Sequence, residues 1–199
     1  MASEAIRLTA LEPQPTDDEP PFQMGDAVVY AAHGVGRIDQ IGMQEIAGHA
    51  IQIIQVSFPD NRMILRIPAA KARASGLRQI ATREFVEKAL TIVAGRSRAG
   101  KGLWARRAVE IQNKISSGAL VQVAEVVRDL RRHVSPDQGS FSERKLFEAA
   151  LERLVAEVAV LEGTDKVVVL ERLTQVMKDA EAASATATAS AAASASTPA

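Results

Sequence analysis

The stretch that decides the fold is His49-Ala-Ile-Gln-Ile-Ile-Gln-Val-Ser-Phe58. Ile51, Ile53 and Gln55 fall on one side of an extended chain, and Gln52, Ile54 and Val56 fall on the other. That alternation predicts a strand with partial burial on both faces. Working outward, Ala27–Ala31, Gly36–Ile46 and Met63–Ile67 are similarly rich in Val and Ile. Gly34, Gly36, Ala47-Gly48 and Pro59-Asp60-Asn61 punctuate them as turns. Four or five short strands within residues 22–80 are too few for a sandwich. They suit a small SH3- or Tudor-like β-barrel, in which closure removes exposed edges.

After residue 81 the apolar period becomes helical. Thr82 is a plausible N-cap for a helix with Phe85, Ala89, Ile92 and Val93 on one stripe, ended by Gly95. Leu103–Ser116 and Leu120–His133 follow, the latter with Val123, Val126, Val127 and Leu130 at helical spacing. Ser140-Phe-Ser-Glu143 fits a capping box for a fourth helix ending at Gly163, with Leu146, Phe147, Ala150, Leu154, Val158 and Leu161 facing inward. Thr164 or Asp165 caps a fifth, running to about Asp179. Strands first and helices afterwards make an α+β chain of two domains, 22–80 and 81–179, with a basic linker at 95–102. The acidic, Pro-rich residues 1–21 and the Ala/Ser/Thr-rich residues 180–199 read as disordered tails.

The 199 residues carry 24 Lys+Arg against 24 Asp+Glu, a net charge of zero. Neutrality argues against nucleic acid only if the charge is evenly spread, and it is not. Residues 96–133 hold nine basic and three acidic residues, net +6, offset by acidic ends. A phosphate backbone senses local charge within a Debye length of about 8–10 Å. The chain has no Cys, hence no disulfide, thiolate zinc site or cysteine nucleophile. His33, His49 and His133 lack metal-ligand spacing, and no nucleophile–His–carboxylate set can be assembled. The sequence therefore implies no enzyme, metal or cofactor. No apolar run approaches the roughly 18–20 residues of a membrane span, and the N-terminus lacks a signal-peptide pattern, so the expectation is a cytoplasmic protein without a membrane partner.

Gly95-Arg-Ser-Arg-Ala-Gly100-Lys101 matches the start of a phosphate-binding loop, but Gly102 stands where Ser or Thr would hold magnesium, and a helix precedes it instead of a strand. It reads as a flexible basic linker. The informative segment is Lys101-Gly-Leu-Trp104-Ala-Arg106-Arg107, where the single Trp opens a helix beside a basic linker. A lone Trp is ordinarily a core residue, but an aromatic wedge beside basic residues can prop open an unstacked base step. Arg98 and Lys101 suit non-specific phosphate contacts. Arg128, Arg131 and Arg132 either extend this positive surface or form an ordinary solvated face. Acidic residues of the last two helices read as the solvated face opposite Lys and Arg. In the β domain, Arg62-Met-Ile-Leu-Arg66 places Arg62, Ile64 and Arg66 on one face of a strand. That strand either accepts a partner strand or is an edge guarded by charge.

These residues carry a resemblance. Phe22-Gln-Met-Gly-Asp26-x-Val-Val-Tyr30-x-x-His33-Gly34 resembles the opening signature of the bacterial CarD/CdnL family of transcription regulators. Leu65-Arg66-Ile67-Pro68, Leu103-Trp104-Ala-Arg106-Arg107 and Val123-Ala-Glu-Val-Val-Arg-Asp-Leu-Arg131 extend the match over about residues 22–178. The resemblance implies a Tudor-like domain, shared with the transcription-repair coupling factor, that binds the RNA polymerase β subunit. It further implies a helical domain that contacts promoter DNA at the upstream fork and stabilises the open complex, with a monomer when free. It assigns Trp104 to the wedge, Arg106 and Arg107 to DNA, and Arg66 to polymerase. Gln44 stands where some members carry Arg, which weakens that contact or shifts it to Arg62. The alternative is a stand-alone nucleic-acid or peptide-binding Tudor-like module, which needs an aromatic cage. Tyr30 and Phe58 are the barrel aromatics available for one.

Overall fold

The computed structural model describes residues 22–98, 103–131 and 140–194. Strands β1 (Ala27–Tyr30), β2 (Gly34–Ile46), β3 (His49–Phe58), β4 (Met63–Pro68) and β5 (Leu77–Gln79) form one antiparallel sheet in the order β4-β3-β2-β1-β5. The β2–β3 hairpin turns on Ala47 and Gly48, whose φ angles of 53° and 79° suit a tight two-residue turn. A bulge between Ile38 and Gln40 lets Ile38 point into the core while Gln40 faces solvent. At Gly36 a Cβ would come within 2.8 Å of Phe58, Ser57 and Val56, so the sheet packs tightly there only with glycine. Val28, Ile38, Ile54, Val56, Phe58 and Leu77 fill the core of this domain.

Among the described residues β4 and β5 form no ladder with each other. Closure of the barrel is thus incomplete, because β5 has three residues and is too short to complete the ring. The β4 edge remains unpaired by the sheet.

The helices are α1 (Arg83–Ala94), α2 (Trp104–Ser116), α3 (Leu120–Leu130), α4 (Phe141–Glu162) and α5 (Lys166–Ser194). The capping box at Ser140 and Glu143 forms in both directions, and α4 ends at Gly163 in the left-handed region with φ 64°. Asp165 begins α5 by accepting the Val167 N–H at 2.7 Å. Val93, Ile115, Val127, Leu130, Leu154 and Leu173 lie in the helical core.

Three sequence expectations shift. The buried stripe of α1 includes Val86, while Phe85 is half-buried, a rotation of one position. Burial on α4 is continuous from Leu154 to Ala159, while Leu146 and Leu161 are half-buried. The cause is that α4 packs on α2, α3, α5 and the sheet strand β2 at once. Finally, α5 does not end near Asp179 but continues to Ser194. Val169, Leu173 and Met177 anchor its first turns, and an Ala-rich continuation then adds hydrogen bonds without a new nucleation cost.

The two domains meet at a polar seam. Glu157 of α4, only 3% exposed, receives both Arg78 terminal nitrogens at 2.6 and 2.7 Å and the Ala81 N–H at 2.9 Å. The expected solvated acidic face therefore fails at this residue, since the sheet end covers it. Arg78 also donates to the Gly118 carbonyl, and Arg153 donates to the carbonyls of Ala31, Ala32 and Ile115. Lys166 pairs with Asp60 at the far end. Burial pushes the Arg153 guanidinium below its ordinary value, partly countered by Glu152.

Candidate nucleic-acid interface

Helix α2 presents two faces. Trp104, Ile111 and Ile115 pack on the helical core, and Leu103, Arg106, Val109 and Glu110 face outward. Trp104 is half-buried, and the Arg107 guanidinium lies over its ring at 5.7 Å from the centroid. The indole is thus fixed on one side and accessible on the other. Beside it, Leu103 is 84% exposed, and the Arg106 side chain is 87% exposed with a 3.5 Å contact to Glu110. Such an exposed pair holds Arg106 only weakly. The helix opens on Leu103, whose side chain has no acceptor, so no N-cap side chain satisfies its first N–H groups. Trp104, Arg106 and Arg107 therefore share the first turn and its surroundings.

The approach to α2 is tied down. The Arg98 N–H donates to Asp129 Oδ1 at 2.7 Å, and Ser97 Oγ donates to the Asp129 carbonyl at 3.4 Å. The Arg98 side chain is exposed. Lys101 lies outside the described residues, as do Arg132 and His133.

Arg128 and Arg131 do not extend the positive surface. They are 7% and 5% exposed. Arg128 forms a two-pronged pair with Asp129 at 2.8 and 3.0 Å, and Arg131 donates to the Val93 carbonyl. The bond to Asp129 raises the Arg128 pKa against the lowering effect of burial. The Arg128 charge is held by its neighbour Asp129 within α3, and Arg131 ties the end of α3 to the end of α1.

In the sheet domain, register gathers the other candidates. Arg66 pairs with Gln55, which pairs with Gln40, and Ile64 pairs with Ser57. Gln44 pairs with Ile51, four residues from Gln55 along β3 and roughly 14 Å away at strand spacing. By alternation Gln44, Ile64 and Arg66 lie on one outward face, all exposed. Arg66 Nε donates to Gln55 Oε1 at 3.1 Å. Arg62 is not in the strand. It precedes β4 in the left-handed region with φ 50°, closing the 3-10 turn Pro59–Asn61, so it does not share the strand alternation.

Tyr30 and Phe58 are joined by His33, which stacks on Tyr30 at 5.5 Å and meets Phe58 edge-on at 5.7 Å. Phe58 is 1% exposed. The rings contact one another instead of framing an open cage, which disfavours the stand-alone Tudor-like module that needs one. Among the described residues no group of three or more His, Asp or Glu is placed to hold a metal, and no helix is long and apolar enough to cross a membrane.

Two family models match this chain. Residues 22–81 match the CarD-like/TRCF RID domain, and residues 88–174 match the CarD C-terminal domain. The chain is 31% identical over 143 residues to the protein named "Putative transcription factor YdeB" from Bacillus subtilis (strain 168), covering 71% of this chain and 93% of that protein. This chain belongs to the CarD-like family. Among solved structures, the solution NMR structure of the 72-residue N-terminal domain of Myxococcus xanthus CarD aligns at 30% identity and a TM-score of 0.26 over 29% of this chain and 76% of that one. The CarD-like family is one of transcription factors. Within this CarD-like chain, sequence reasoning missed Glu157 and Arg78. A Glu among Val and Ala in Leu154–Ala159 was the available signal, because an isolated acid in an apolar run needs a partner.

Proposed function

We propose that this CarD-like protein acts at transcription initiation, docking on the RNA polymerase β subunit through the outward face of β4 and contacting promoter DNA at the upstream edge of the bubble through the start of α2. The observation that carries the reading is the outward surface of α2. An anchored indole, an 84% exposed leucine and a nearly free Arg106 are presented together where the helix begins. Arg106 and Arg107 suit phosphates, and the accessible edge of Trp104 suits an unstacked base step. In the sheet domain, the unpaired β4 edge with Ile64 and Arg66 suits addition of a partner strand, with Gln44 farther along the same face and Arg62 at the preceding turn.

The chain then favours the open complex only through contacts that the closed complex lacks, since equal affinity for both states shifts nothing. A preference of about 1 kcal/mol changes the open-to-closed ratio roughly five-fold. Arg98 and Lys101 add phosphate contacts from the linker. A net-neutral chain binds free DNA weakly, and docking on polymerase raises its effective concentration at the fork.

Open-complex lifetime on a responsive promoter, measured with and without the protein, tests this directly. Trp104→Ala shortens the lifetime and retains polymerase binding. Arg66→Glu abolishes co-purification with polymerase while the protein stays folded. An unchanged lifetime in the first variant, or normal polymerase recovery in the second, refutes the corresponding contact.

A further inference from the structure

The seam between the domains is built more heavily than a passive junction needs. Domain interfaces within a chain are ordinarily polar and permit relative motion. Here a carboxylate that is 3% exposed is enclosed by the other domain's guanidinium and by the Ala81 N–H. Arg78 uses its remaining N–H groups on the carbonyls of Gln79 and Gly118. Arg153 reaches across from α4 to the Ala31 and Ala32 carbonyls, which follow β1. Gly118 lies in the left-handed region with φ 71°, and a Cβ there would stand 3.1 Å from the Ala31 backbone. Between these groups lies only a crevice with room for about 10 Å³, lined by Val29, Val35, Leu120 and Val123 among others. The two-pronged Arg78–Glu157 pair is directional, so it fixes rotation as well as distance.

We propose that Arg78, Glu157 and Arg153 are positioning residues that hold the sheet domain and the helical domain at one orientation, so that the β4 face and the start of α2 engage their two targets together. The inference rests on the function proposed above. Its physical basis is that a second contact gains most from the first when the connection spans the two sites without slack. A loosened seam keeps both surfaces intact and removes their cooperation.

The absence of cysteine makes a clean test possible in the full chain. Spin labels at Ala50→Cys and Ser116→Cys, both exposed and in different domains, report the interdomain distance. The double variant Arg78→Ala/Glu157→Ala removes both charges and leaves neither buried alone. Glu157→Gln, which retains an acceptor for the Ala81 N–H, serves if the double variant does not fold. The expected result is a broadened distance distribution, polymerase affinity within about two-fold of wild type, and at least a five-fold loss of the lifetime extension. Joining Asp60→Cys to Lys166→Cys with a short bismaleimide then restores at least half of that extension. A narrow distribution in the variants overturns the proposal. So does a broad one with full lifetime, a cross-link that restores nothing, or a cross-linked wild-type seam that abolishes activity. A wild-type chain that leaves open-complex lifetime unchanged refutes the proposed function instead, and the label distances keep that failure separate.

Discussion

Arg106 and Arg107 on α2 and Arg128 and Arg131 at the end of α3 belong to one basic stretch of sequence, and the fold puts the two pairs to different uses. The α2 arginines lie at the surface, one nearly free and one over an indole. The α3 arginines are buried, one held by Asp129 and the other by a carbonyl of α1. Equal formal charge in a sequence window therefore does not mean equal charge at the surface. The basic segment is a smaller electrostatic target than its count suggests; among the described residues Arg106 and Arg107 keep charge at the surface beside Trp104, and Arg96 and Arg98 are exposed on the linker. The partition also explains the neighbouring Asp129, which holds Arg128 with its carboxylate and the linker with the same oxygen through the Arg98 N–H.

The contrast breaks most severely if the buried pair is dispensable. Arg128→Ala leaves the Asp129 carboxylate without its guanidinium, although the Arg98 N–H stays on it, and is expected to destabilise the fold by about 3 kcal/mol in denaturant unfolding. A loss below about 1 kcal/mol would show that the buried pair does not hold α3. Trp104→Ala comes next, because it touches both uses. Losing half-buried packing costs about 2 kcal/mol of stability, roughly half the cost of a fully buried Trp. Trp104→Phe keeps much of that packing, so a shortened open complex in a stable Trp104→Phe variant separates wedge from core.

Arg106→Ala is expected to change stability by no more than about 0.5 kcal/mol, as for an isolated surface change. Its effect is on DNA, where one lost phosphate contact reduces the salt slope of binding by about 1. An unchanged slope would remove Arg106 from the interface. Lys166→Ala is the smallest, about 0–1 kcal/mol, since both partners of the Asp60 pair are substantially exposed.

The same comparison gives a pH expectation. The hydrogen bond to Asp129 holds the Arg128 guanidinium above its ordinary value, so its stabilisation is complete at lower pH and is lost only as pH rises through the folded-state value. Arg153 is lowered by burial and contributes with the opposite sign, its penalty present while the group is charged. The Arg128 window lies far above neutrality, since a guanidinium is strongly basic to begin with and this one is raised further, so Arg128 contributes no slope to the unfolding free energy between about pH 6 and 9. A slope that disappears in Arg128→Ala would contradict this.

Much of the architecture was legible in sequence because it rests on local rules. The alternation in 49–58, the capping box at Ser140 and the stop at Gly163 each reappear in the fold. The proposed contact residues were legible in part. Trp104, Arg106 and Arg107 are brought together because they fall within one turn. Arg62 was misplaced because a left-handed residue ends the turn before β4, which residue type alone does not reveal. The length of α5 was underestimated because weak Ala/Ser/Thr propensity is decisive only once a packed turn has nucleated the helix.

By itself the sequence determined that a β domain precedes a helical one, where most elements begin and end, and which segment carries the basic charge. These follow from side-chain period, turn residues and charge count, all read over a few neighbouring positions. Only the tertiary structure decided which of that charge reaches solvent, that Gln44 and Arg66 share a face, and that Glu157 closes on Arg78. The last pair lies 79 positions apart in the chain. No local pattern encodes such a contact, because burial and partner arise only when distant segments pack and exclude water together.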